Sequence, residues 1–71
     1  MLKKHSIIIA GHASSITMEP AFWDELKKIS ERDGISINQL VSVIDTDRDG
    51  NLSSAIRLFV LNDLKKRVSA D

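Results

Sequence analysis

Residues 14–26 read Ser14-Ser15-Ile16-Thr17-Met18-Glu19-Pro20-Ala21-Phe22-Trp23-Asp24-Glu25-Leu26, and the hydrophobic period changes in the middle of the stretch. Up to Met18, polar and apolar residues alternate with period two, the pattern of a half-buried strand. From Pro20 onward, Phe22, Leu26 and Ile29 recur at helical spacing with Trp23 beside them. Proline suits the first helical position, where its missing N–H would have no partner anyway. Gly34 closes this helix, because a left-handed cap costs glycine no steric strain. The stretch therefore predicts a strand that runs straight into a helix over about residues 20–33.

Upstream, Ile7-Ile8-Ile9 is β-branched throughout and extends the strand region to residues 5–18. A single strand continued through Gly11 puts Ile8, Ile16 and Met18 on one face but Ile7 and Ile9 on the other. The apolar set changes sides near the glycine, which fits either a bulge or a two-residue hairpin with Gly11 first. Downstream, Ser36 is a good N-cap, and Ile37, Leu40, Val41 and Ile44 make the stripe of a second helix, about 36–47. A third helix, about 52–68 and capped by Asn51 or Ser53, carries Leu52, Ile56, Phe59, Val60, Leu64 and Val68 on its main stripe. Leu58 and Leu61 lie off that stripe. A helix apolar nearly all round in so short a chain predicts contact with a second subunit or a partner protein. The expected fold is mostly α with a short N-terminal β ribbon, in one domain spanning 1–71.

The order strand, helix, helix, with the residues quoted above followed by Gly34-Ile35-Ser36-Ile37-Asn38-Gln39-Leu40-Val41, resembles the ribbon-helix-helix DNA-binding domain. The likeness covers about residues 13–46. It is most similar to short bacterial proteins of that family that carry an added C-terminal helix, which extends it over nearly the whole chain. The resemblance implies an intertwined homodimer that binds double-stranded DNA, as a free-standing transcriptional regulator or as the antitoxin of a toxin pair. A lone strand is an unpaired edge, and pairing with the same strand of a second chain closes it as an antiparallel ribbon. Ile16 and Met18 then enter the dimer core, while Ala13, Ser15 and Thr17 face the major groove. Ser36 caps a helix whose free donors at Ile37 and Asn38 suit a DNA phosphate. Ala13, Ser15 and Thr17 offer no charge and no bidentate pairing, so Lys3, Lys4, His5 or His12 are the expected source of further contacts.

Composition bounds the alternatives. The 71 residues are 42% hydrophobic and 28% charged, a globular balance for a single small domain. A core of this size is marginal alone and usually needs a staple. Without cysteine, disulfides and thiolate metal sites are excluded, and two histidines make a structural zinc site improbable. No apolar run approaches the roughly 20 residues needed to span a bilayer, and Ile7–Ala10 is too short for a secretory core. The expectation is a cytoplasmic protein that needs no cofactor. The formal net charge is zero, but its distribution is uneven. Residues 1–18 and 52–71 each carry +2, and the two segments between them, 19–34 and 35–51, each carry −2. Basic ends around an acidic middle permit a basic face.

Two further constellations carry less. Asp45-Thr46-Asp47-Arg48-Asp49-Gly50-Asn51-Leu52-Ser53-Ser54-Ala55-Ile56 resembles the calcium loop of EF-hands and dockerins, with acids at positions one, three and five and glycine at six. The closing acid at position twelve is replaced by Ile56. A solvated loop ahead of a capped helix is the better reading, and no metal site is expected. His5 and His12 stand near Ser6, Ser14, Ser15 and Thr17, but no acid precedes Glu19 to orient a base. Catalysis is not expected. The leading function is sequence-specific DNA binding; the alternative is a protein-interaction module using the third helix, with calcium binding at 45–56 a distant third.

Overall fold

The computed structural model describes residues 1–47 and 50–69, with the Asp47 side chain also outside the description. Strands β1 (Lys3–Ile9) and β2 (His12–Met18) form an antiparallel hairpin, followed by helices α1 (Pro20–Asp33), α2 (Ile37–Asp47) and α3 (Leu52–Ser69). The break near Gly11 is thus a hairpin and not a bulge. Its two-residue turn is Ala10-Gly11, so alanine and not glycine comes first. Both turn residues have positive φ, 51° and 80°, the twist that matches two right-handed strands. The strand expected to find its first partner in a second chain finds it instead in β1 of its own chain.

Local chemistry sets the helix boundaries. Pro20 begins α1, and Gly34 ends it at φ 70°, with the Ile35 N–H donating back to the Ser30 carbonyl at 3.0 Å. A capping box starts α2. Ser36 Oγ accepts from the Gln39 N–H at 3.1 Å, and Gln39 Oε1 accepts from the Ser36 N–H at 2.8 Å. Asn51, and not Ser53, caps α3 by accepting from the Ser54 N–H at 3.1 Å.

The helices pack under one face of the hairpin. Ile7, Ile16 and Met18 point down from the strands onto Leu26, Ile29, Leu40, Val41, Ile44, Ile56 and Val60, and every one of these is at most 7% exposed. The second chain expected to bury Ile16 and Met18 is not needed for that burial. The chain's own helices cover them, because α3 returns beneath β2. Ser53 Oγ donates to the Thr17 carbonyl at 3.2 Å, and the Arg57 guanidinium forks onto both Glu19 carboxylate oxygens at 2.8 and 3.1 Å. Trp23 settles against the same core and stacks on His5, ring centroids 3.8 Å apart.

Candidate nucleic-acid interface

The hairpin register pairs Lys4 with Thr17, Ser6 with Ser15 and Ile8 with Ala13. Side chains alternate across a sheet, so these six stand together on the face opposite the core. All six are exposed. Ala13, Ser15 and Thr17 therefore lie where the strand pattern put them, and Lys4 stands beside Thr17. Lys3, His5 and His12 have the other parity. His5 is turned toward the helices, where Trp23 covers it and its Nε2 is buried with no hydrogen-bond partner among the described residues. Of the four basic residues expected to supplement the outward face, only Lys4 is on it. Ser6 and Ile8 belong to this face and escape the reading from sequence; their parity becomes readable only once the turn is placed at Ala10-Gly11.

The two edges of the hairpin differ. In a two-residue hairpin the closing pair, here Ile9 with His12, exchanges both hydrogen bonds, so alternate residues direct their backbone groups outward. On the β1 edge, the outward N–H of Ile8 donates to Asn38 Oδ1 at 3.2 Å. Asn38 is thus a structural anchor that holds the start of α2 beside β1. The backbone N–H groups of Ile37 and Asn38 open the helix at that point, with Ser36 bonded to Gln39 and exposed at the rim. On the β2 edge, the Thr17 carbonyl meets Ser53, whereas no backbone partner takes Ala13 or Ser15 among the described residues. A groove of about 560 Å³ runs along this edge, floored by residues 12–17 and walled by Asp45, Asn51, Leu52 and Ser53.

Ion pairs neutralise most of the charge elsewhere. Hydrogen bonding to Arg57 holds the Glu19 carboxyl below its ordinary range, and Arg67 with Lys28 does the same for Glu25. Asp33 is lowered by its bond to Arg32. Lys4 has no ion-pair partner among the described residues, so its charge is available to an incoming anion. Within the calcium-like segment 45–56, Arg48, Asp49 and the Asp47 side chain lie outside the described residues. Ile56, at its twelfth position, is fully buried in the core. No helix among the described residues is long and apolar enough to cross a membrane.

A ribbon-helix-helix domain family model matches residues 2–64. Among solved structures, an uncharacterized protein from Bordetella pertussis Tohama I matches with a TM-score of 0.83 and 26% sequence identity. The match covers 99% of this chain but 61% of that one, so the chain spans less than two thirds of its structural relative. No curated protein matches. The match over 2–64, on a chain that folds as antiparallel β ribbon followed by helices, gives the assignment: this chain belongs to the ribbon-helix-helix domain family.

Proposed function

We propose that the chain binds duplex DNA as a homodimer, presenting the outward face of its hairpin to the major groove, and acts as a cytoplasmic transcriptional regulator without catalysis of its own. The observation that carries this reading is the face itself: Lys4, Ser6, Ala13, Ser15 and Thr17 are short or cationic, and all are exposed. The open edge of β2 supplies the dimer contact. Antiparallel pairing of two β2 strands about Ser15 satisfies the backbone groups of Ala13 and Ser15 and fills the groove beside them.

That dimer places four strands side by side, with β2 and its copy in the centre and a β1 on each flank. At about 4.8 Å per strand the flanks stand about 14 Å apart, wider than the roughly 12 Å major groove. The central pair therefore presents Ala13, Ser15 and Thr17 to base edges, while each flanking strand lies over a phosphate wall and aims Lys4 at it. Ile37 and Asn38, held beside β1, offer backbone donors to the same wall. Such a sheet enters the groove less deeply than two strands, so phosphate contact supplies more of the affinity than base contact.

The test is a salt titration of binding to a random-sequence duplex pool. Lys4→Ala removes two phosphate contacts per dimer and is expected to lower the salt slope by about two units. An unchanged slope contradicts the placement of Lys4.

A further inference from the structure

A second exposed surface lies away from the sheet. On α3, Leu61 and Val68 are 45% and 75% exposed, and with Leu64 they follow i, i+3, i+7 spacing along one side of the helix. Leu64 connects two shallow clefts. One, of about 130 Å³, is formed with Ala21 and Phe22 of α1, and the other, of about 450 Å³, with Lys65 and Val68. Together they make a continuous apolar track between α1 and the C-terminal half of α3, long enough for about two to three turns of a helix.

The charge along the track is one-sided. Its neighbouring acids are already engaged: Glu19 by Arg57, Glu25 by Arg67 and Lys28, and Asp63 by Arg32 and Arg67. Lys65, which lines the larger cleft, has no ion-pair partner among the described residues. A second copy of α3 laid on this track brings Lys65 against Lys65 with no free acid on the face to answer it among the described residues, which disfavours self-pairing. An acidic partner meets both the apolar row and the unpaired Lys65 that borders it.

We infer that the α1–α3 track is a docking site for an acidic amphipathic helix of another protein, taken up by helix-in-groove recognition with Lys65 facing its carboxylates. The site shares no residue with the outward face of the sheet, so it stands or falls apart from the DNA reading.

The experiment uses the full chain and two synthetic helical peptides with the same leucine row, one flanked by glutamates and one by lysines. Backbone amide shifts locate each peptide, and a titration gives its affinity. The acidic peptide is expected to perturb Ala21, Phe22, Leu61, Leu64, Lys65 and Val68, and to bind about tenfold more tightly than its lysine twin. Lys65→Glu, an exposed change that leaves the core intact, is expected to narrow or reverse that preference, and Val68→Ser to weaken the acidic peptide. Equal affinity for the two peptides, shifts confined to other surfaces, or no binding overturns the proposal. So does sedimentation showing a self-associated chain that Val68→Ser converts to a monomer, because a second copy then occupies the track.

Discussion

Asn38 Oδ1 accepts a hydrogen bond from the Ile8 backbone N–H at 3.2 Å, across thirty residues of sequence. This one contact sets the start of α2 beside the outer edge of the hairpin, and so fixes where its free donors stand relative to Lys4. Asn38→Ala removes the acceptor and is expected to cost about 1 kcal/mol in urea denaturation. Amide exchange at Ile8 is expected to accelerate. Asn38→Asp keeps an acceptor and is expected to restore most of the protection; no change at Ile8 in either variant contradicts the anchor.

The Ala10-Gly11 turn carries a removable strain. Ala10 sits at φ 51°, a left-handed conformation that costs a residue with a Cβ roughly 1 kcal/mol and that Asn or Gly adopts more readily. Ala10→Asn is expected to stabilise the protein by about 0.5–1 kcal/mol in thermal or urea denaturation. Gly11→Ala is expected to destabilise it through backbone conformation alone, since an added Cβ at Gly11 meets no atom within 4 Å. A neutral or destabilising Ala10→Asn argues against this turn.

Pairing through the β2 edge has its own variant. Proline at position 15 removes the outward N–H and is tolerated on an edge strand, whereas the bonds of β2 to β1 come from its neighbours. Ser15→Pro is expected to give a folded monomer by sedimentation and circular dichroism. A dimer that persists in this variant places the interface elsewhere.

Much of this architecture is legible in the residues themselves. Pro20 and Gly34 bracket α1, Ser36 and Gln39 announce α2 as a capping box, and alternation alone turns Ile16 and Met18 inward. The turn is not legible, because Ala10 stands where asparagine, aspartate or glycine gives the usual hairpin signal. With the turn unplaced, the face taken by Lys3, Lys4 and His5 stays open as well. Nor does any periodic pattern encode Ser53 on the Thr17 carbonyl or Arg57 on Glu19, separated by 36 and 38 residues, and those contacts bring α3 under β2. That is why Ile16 and Met18 are buried by their own chain.

The Glu19–Arg57 pair also sets a dependence on pH. Glu19, Glu25 and Asp33 ionise more readily folded than unfolded, because Arg57, Arg67 with Lys28, and Arg32 bond their carboxylates. Their contribution is therefore present above the ordinary carboxylate range and is lost as the pH falls through it toward the depressed folded values. The melting temperature is expected to fall as the pH drops below the ordinary glutamate pKa of 4.5. Glu19→Gln is expected to flatten that fall. A variant with the same acid profile as the parent contradicts the assignment.

DNA binding by this chain requires the outward face of the hairpin to meet the duplex, and Thr17→Glu tests that contact most directly. Thr17 is exposed on the face beside Lys4, in the row farthest from the turn, so a carboxylate there leaves the fold intact while opposing phosphate and cancelling the lysine. Binding to a random-sequence duplex pool at low salt, with folding and dimerisation checked in parallel, is expected to be present in the parent and abolished in Thr17→Glu. Failure of the intact parent dimer to bind any duplex at low salt, or undiminished binding by a folded, dimeric Thr17→Glu variant, contradicts it.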